Sequence, residues 1–355
     1  VKGTLDADLR MDVPIRKGGE VKTKGRLTGE NLYIDSGIFN SPIKEGDFIL
    51  NISGKQTDID SLNFKIGKSD ISLTGNLTGW DRLKGDISIE SSFLDTADIM
   101  PLESSSVMGT EPGPMDSLMK KLNLDIDLNI SKGYWRELRW KQLEADLNLL
   151  AGALFINRSN IYLEHGSLDI KGHILRGAEP DMAINTIILL NKQPVEKLLR
   201  DIRFGFQGLK GDLTMAAKLY MRGKSKEDLI PSLTGAADVT IQTGLMKNPN
   251  TFIKVLDDLS LQNIFKERPP DLREDGLFFE SIQAEAEINK GIIRSENFTM
   301  RSPVFNAVAY GESDLDKKTV DFILAAQPHG TIDTIVSNIP IVGFIITGED
   351  RSVLA

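Results

Sequence analysis

Over most of this chain, apolar and polar residues alternate with a period of two. The stretch "GDLTMAAKLYMRG" places Leu213, Met215, Ala217, Leu219 and Met221 on one side. "GSLDIKGHI" groups Leu168, Ile170 and Ile174, with Asp169, Lys171 and His173 opposite, and "SIQAEAEI" groups Ile282, Ala284, Ala286 and Ile288. Successive side chains of a strand point to opposite faces, so each stretch predicts a β-strand with one greasy and one wet face. Turn signals about every eight to twelve residues predict antiparallel meanders. Helical spacing is confined to short pieces. "SKEDLIPSL" predicts a helix ending near Pro231, and "NPNTFIKVLDDLSLQNIF" spaces Phe252, Val255, Leu256 and Leu259 as a helix does, with Asn250 as its cap.

The pattern repeats. "VKTKGRLTG" from Val21 and "ISLTGNLTG" from Ile71 match in pattern and share the letters G-x-L-T-G, with looser copies in "LDIKGHILRG" and "AVAYGESDL". Their glycines are Gly25, Gly75, Gly172 and Gly311, each expected to precede a second short strand. Three longer stretches align upstream, each opened by a turn glycine (Gly54, Gly152, Gly291), with the second glycine 21, 20 and 20 residues further on. Each copy then adds one more strand, "GDISIES", "DMAINTIILL" or "VDFILAAQ", and a helix-like piece, "LDTADIMP", "KQPVEKLLRD" or "GTIDTIVSNI". One unit is thus about four strands and a short helix, roughly 50 residues. The expected fold is mainly β, a twisted antiparallel repeat array with a few short helices. Residues 1–103 read as N-terminal repeats, 104–114 as a polar Gly/Pro loop, 115–204 as a middle repeat and 205–355 as a C-terminal region. The 31 glycines fit strong twist, and 6% aromatic residues is low for a closed sandwich core.

Charge narrows the choice of partners. A net charge of -9 and a pI near 5.1 argue against nucleic acid and against docking on anionic headgroups. The chain has no cysteine, so neither disulfides nor thiol chemistry enter. No window reaches the length of a transmembrane helix. The chain opens on Val1 in mid-pattern and reads as a piece of a longer protein.

Raw material for catalysis is thin. Of the three histidines, His165 and His173 share the polar parity of their strand and His329 sits in a loop, so no metal or nucleophile site is expected. Glu285 and Glu287, like Asp257 and Asp258, read as solvated faces rather than glycosidase pairs. "GRLTGENLYIDSG" reads as a turn between strands, not a phosphate cradle, and Trp80, Trp135 and Trp140 read as packing residues. No cofactor is expected. Alternation alone leaves two fates for the apolar face open, a dry core or a groove for apolar ligands.

The stretch from "LKGDLTMAAKLYMRG" through "AEAEINKGIIRSENFTMRSPVFNAVAYGESDLDKKTVDFIL" to "IDTIVSNIPIVGFIITGEDRSVLA" resembles bacterial AsmA-like proteins, the group that includes AsmA, TamB and YhdP. The resemblance covers residues 205–355, and its last piece, with Pro340, Gly343, Thr347 and Gly348, is most similar to the YhdP branch. It implies a long, curved, taco-shaped β-groove with an apolar channel, an inner-membrane anchor preceding this segment, and a periplasmic body reaching toward the outer membrane. It also implies a final strand beyond Ala355. The implied role is non-enzymatic passage of phospholipids between the two membranes, acyl chains in the groove and headgroups in water.

On that reading the groove lining comprises Ile71, Leu73 and Leu77; Leu168, Ile170 and Ile174; Ile184 and Ile188; Leu213, Met215 and Leu219; Ile282 and Ile288; and Phe322 and Leu324. The closing apolar stretch, with Ile341, Val342, Phe344 and Ile345, is too short to cross a bilayer. It is expected to line or plug the groove end, or to meet membrane lipid or a partner channel. Envelope proteins are the remaining expected partners. Two rivals stand beside this reading: a periplasmic scaffold for outer-membrane proteins acting through strand edges, and a β-solenoid enzyme on polysaccharide, for which the required cluster of carboxylates and aromatics is missing.

Overall fold

The alternating stretches are strands, and each pairs with its neighbour in register. The computed structural model describes residues 1–13, 21–35, 39–99, 119–136, 138–176, 182–201, 208–247, 276–303, 305–317, 319–328 and 341–347. The expected loop at 104–114, the expected helices at Asn248–Phe265 and Gly330–Ile339, and His329 lie outside them. The chain divides into two units, Val1–Glu164 with Leu168–Ile184, and His165–Ser167 with Asn185–Ala355.

In the first unit, β1 (Lys2–Asp12), β2 (Lys22–Ile34), β3 (Ile43–Ser53), β4 (Gln56–Ile66), β5 (Ser69–Thr78) and β6 (Leu83–Ser91) form an antiparallel meander. After β7 (Leu94–Asp95) and α1 (Thr96–Ile99), β8 (Leu122–Ile130) returns parallel to β6, and β9 (Gly133–Trp135) pairs parallel with β7. β10 (Leu138–Leu150) and β11 (Ala153–Leu163) resume the antiparallel order, followed by β12 (Ser167–Arg176). The antiparallel array is therefore mixed at one crossing, which a crossover connection requires.

β13 (Met182–Pro194) begins in the first unit, and from Asn185 on, in the second, it leads through α2 (Val195–Asp201) to β14 (Leu209–Gly223). Then come α3 (Lys226–Ser232), β15 (Thr234–Met246), β16 (Leu277–Asn289), β17 (Ile292–Arg301), β18 (Phe305–Asp314), β19 (Thr319–Pro328) and β20 (Ile341–Thr347). From β14 to β20, each strand pairs antiparallel with the next. α3 starts on a capping box: Ser225 Oγ accepts from Asp228 N, and Asp228 Oδ2 accepts from Ser225 N.

Two local devices shape the array. The turns Ala151-Gly152 and Lys290-Gly291 have positive φ at both residues, as two-residue hairpin loops with the twist of their strands require. The second strand of every repeat is bulged: register slips at Asp60-Ser61 in β4, Asn157 in β11 and Glu296-Asn297 in β17. Each bulge lies five or six residues past its turn glycine. The extra residue switches side-chain parity, so Ile59 and Leu62 both reach the apolar face, as do Ile156 and Ser159.

The repeat glycines do not end strands, contrary to the expectation of a second short strand after each. β2 runs unbroken through Gly25 and Gly29 to Ile34, so the part of "GRLTGENLYIDSG" up to Ile34 is strand rather than turn. Gly75 sits inside β5 at φ 152, and a Cβ there would lie 2.2 Å from the Asp86 carbonyl oxygen. The position needs glycine because the neighbouring backbone passes that close.

Gly75→Ala is expected to destabilise the first unit by about 2 kcal/mol or more, by combining a backbone clash with strain. Gly54→Ala, at φ 63 with open space around it, is expected to cost only about 1 kcal/mol. Denaturant unfolding of the two variants checks the difference.

Candidate functional site

Register turns the alternation of single strands into rows that run across them. In the first unit, one row passes through Ala7, Leu27, Leu50, Ile59, Gly75, Ile87, Ile126, Leu147 and Ile156, each the cross-strand partner of the next. A second passes through Leu9, Gly25, Ile52, Thr57, Leu77, Gly85, Leu124, Leu149 and Leu154. A third passes through Leu5, Gly29, Phe48, Leu62, Leu73, Ile89, Leu128, Ala145 and Ser159. With strands about 4.8 Å apart, eight spacings carry each row roughly 38 Å. Most of these side chains are only half-buried, so the face is not sealed under a second layer of described residues.

One residue away along each strand lies a polar row: Asp8, Arg26, Asn51, Asp58, Asn76, Asp86, Asp125 and Asn148. Asp86 and Asp125 face each other across the parallel pair, and Asn76 and Asn148 donate amide hydrogens to them from either side. The same sheet is thus oily on one face and hydrated on the other.

The expected lining residues fall into two groups. Ile71, Leu73 and Leu77 are half-buried members or neighbours of the first unit's rows, as Phe64, Leu62 and Thr57 pair with them. Leu168, Ile170 and Ile174 are half-buried on one parity of β12, and Ser159 Oγ ties β11 to Ile170, accepting from its N at 2.9 Å and donating to its O at 3.0 Å. Ile184 and Ile188 are half-buried, while Ile187 and Leu189 on the other parity of β13 are exposed.

In the second unit, Leu213, Ile241, Ile282, Met300, Ala307 and Ala326 form a row in which every member is buried, none more than 7% exposed. Ile288 and Leu324 are buried as well. Packing has already consumed the surface of Leu213, Ile282, Ile288 and Leu324. Met215, Leu219 and Phe322 keep part of theirs. In β20, register sets Val342 beside Leu324 and Phe344 beside Phe322, with Ile341 and Ile345 on the alternate positions beside Ala325 and Asp321.

Row members such as Leu50, Ile59, Ile87, Ile126, Leu147, Ile156 and Phe298 escaped sequence reading. For Ile59, Ile156 and Phe298 the signal was the parity break at the bulge of their strand, invisible to a strict period of two, whereas Ile87 and Ile126 sit in plain alternation. A cavity of about 300 Å³ opens on the apolar face of β17, β18 and β19, with Ile293, Phe298, Val320 and Phe322 among its walls. Ser295 lines it too, and its Oγ is buried without a hydrogen-bond partner.

The polar candidates carry no chemistry of their own. Glu285 and Glu287 are exposed, opposite Asp238 and Ala236. His165 is exposed, and His173 lies 5.8 Å from the Phe155 ring. Asp257 and Asp258 fall outside the described residues. Among the described residues no group of three acidic or histidine side chains is placed to hold a metal ion, and no helix is long and apolar enough to cross a membrane. Packing accounts for Trp140, 6% exposed, but not for Trp80 or Trp135, which are 64% and 46% exposed.

Charge at the sheet's end serves structure. Asp98 accepts from Lys68 N, Ser69 N and Ser69 Oγ, latching α1 to the β4–β5 turn. Asp70 accepts from Ser92 Oγ at 2.6 Å and Phe93 N at 2.8 Å, gripping the chain as it leaves β6. Burial pushes the Asp70 carboxyl up, but these hydrogen bonds together hold it below its ordinary range.

A family model described as YhdP protein matches residues 81–355. The chain belongs to the YhdP protein family. The match begins at residue 81 rather than at 205, so family membership reaches back through the middle repeat into the first unit. Searches of curated proteins and of solved structures returned no match. Membership in the YhdP family supports, in general terms, a bridge-like role in lipid transport for a non-enzymatic envelope protein.

Two outcomes follow from these side chains. Ser295→Ala removes a buried hydroxyl that has no partner, and is expected to leave stability unchanged or raise it by up to about 1 kcal/mol in denaturant unfolding. Asp70→Ala is expected to lower the melting temperature at pH 7. A carboxylate held below its unfolded value of about 3.9 stabilises the fold above that pH and stops doing so as pH falls through its lower folded value. The gap between wild type and Asp70→Ala should therefore close as pH drops from 7 toward 3 in thermal melts.

Proposed function

We propose that this chain is a non-enzymatic segment of a periplasmic bridge that moves phospholipids between the inner and outer membranes. The observation that carries this reading is the set of three mainly apolar rows that run across nine strands with most of their side chains half-buried. An acyl chain needs continuous apolar surface and no specific polar contact, and transit needs weak, uniform binding rather than one deep well. The hydrated opposite face suits an aqueous compartment. Leu73, Leu77 and Ile170 in the first unit, and Met215, Leu219 and Phe322 in the second, are the lining residues with surface to offer. The membranes are reached through segments outside this chain, an inner-membrane anchor among them. In β20, Val342 and Phe344 stand beside Leu324 and Phe322 at the end of the second unit's rows, where they line the groove end or meet lipid, while Ile341 and Ile345 fall on the other parity, beside Ala325 and Asp321.

A scaffold acting through strand edges is the second reading. It draws on β1, whose eleven residues are all exposed and which pairs with β2 alone among the described strands.

A charge within the rows separates the two. Leu73→Asp is expected to cut transfer of a fluorescent phospholipid between donor and acceptor vesicles at least tenfold, since a carboxylate on an apolar track adds about 1.4 kcal/mol or more to the passage of an acyl chain. Thr74→Asp, exposed on the opposite face, is expected to leave transfer unchanged. Equal transfer by both variants, each still folded by circular dichroism, would remove the groove reading. Native mass spectrometry of the wild-type chain should show bound phospholipids of mixed acyl composition.

A further inference from the structure

Among the described strand pairings, four set an aromatic side chain opposite a glycine: Phe48 and Gly29, Trp140 and Gly133, Phe279 and Gly244, Phe322 and Gly311. In the first three the ring lies over the glycine, with ring carbons 2.4, 2.3 and 2.0 Å from where a Cβ would stand. A ring in that place fills the gap that a glycine leaves in a sheet face. Gly311 differs. The atoms nearest its Cβ position are the Asp321 carbonyl oxygen, Phe322 Cα and Phe322 Cβ, at 2.3, 2.5 and 2.7 Å, with no ring atom among them.

The cavity of about 300 Å³ opens at this glycine. The chain cannot close it with a larger residue at 311, because the Asp321 carbonyl occupies the Cβ position. Nor does the facing ring close it. The space is open to the surface, and its apolar walls lack the dispersion partners that a bound alkyl chain would supply. At about 30 Å³ for each methylene-sized group, the volume holds roughly ten carbons of a single unbranched chain. The walls of Ile293, Phe298, Val320, Phe322 and Leu324 are apolar, and Glu312, which also borders the cavity, is ion-paired with Arg294 at 3.1 Å.

We propose that the gap at Gly311 seats one alkyl chain of a bound lipid. The inference rests on the groove reading above and deepens it: the first unit's rows let chains slide, while this site in the second unit holds one. A chain seated here pauses in register with Gly311, which makes the second unit the part of the molecule that keeps lipid through purification.

Photo-labelling of the full chain tests it. The probe is a phosphatidylcholine with a diazirine at the end of one palmitoyl chain, and labelled peptides are mapped after illumination. Peptides from β17 to β19 are expected to carry about ten times the label of their first-repeat counterparts from β4 to β6. Ala309→Leu places a larger side chain into the cavity and is expected to abolish the excess while labelling of β4 to β6 stays at the wild-type level. Val320→Phe fills the same space from another strand and should do likewise, so local damage by one variant cannot produce the result. Val308→Leu, on the opposite face of β18, should change nothing. Even labelling of the two regions, or an excess that survives both fillers, overturns the seat and leaves the groove. No label on either region overturns the groove itself.

Discussion

Backbone register between neighbouring strands is the constraint on which everything else in this protein depends. A strand carries its apolar side chains on one parity, and a slip of one residue would send that whole set to the other face. Here register holds through nine strands of the first unit, across antiparallel pairs and one parallel pair alike. The hydrogen bonds between backbones are indifferent to side-chain type. What selects this register is that it places Ile87 beside Ile126 and Asp86 beside Asp125, keeping oil with oil and charge with water.

Bulges and glycines make that register compatible with curvature. A regular strand would need its apolar parity to continue without interruption, but Ile59 and Leu62 are three residues apart. The bulge between them restores the shared face and adds local twist. The same event at Asn157 and at Glu296-Asn297 shows that the repeat conserves a bend as well as a pattern of strands. Glycines such as Gly75 permit the backbones to close up where a Cβ would collide with the next carbonyl. Local twist is thus favoured by sterics, independently of what the apolar face touches.

The two units use one pattern for different ends. In the first, the rows stay half-buried, and the stabilising polar work is done at the sheet's end by Ser69, Asp70 and Asp98. In the second, the row through Leu213, Ile282 and Met300 is buried close to Leu277, Phe279 and Phe305, which are themselves 1%, 0% and 1% exposed. That row gives stability, and the neighbouring rows through Met215 and Phe322 remain for contact. A repeat protein of this kind separates holding itself together from presenting an apolar track by row, not by strand.

The sequence by itself determined the strands, the short helices at Thr96, Val195 and Lys226, the three-fold repeat and the polarity of the two faces. These follow from local periodicity, turn residues and caps, all legible within a few positions. It did not determine which apolar residues are core and which are open: Leu213 and Met215 carry the same alternation two residues apart, yet one is sealed and the other half-exposed. Nor did it show that β8 returns parallel to β6, or that Ile59 shares a face with Leu62. Those outcomes depend on partners far away in the chain, and only the tertiary structure brings them together. The apolar stretch at the chain's end shows both halves of this. Its composition declared that it must pair or be covered, and the fold made it the strand beside Val320, Phe322 and Leu324.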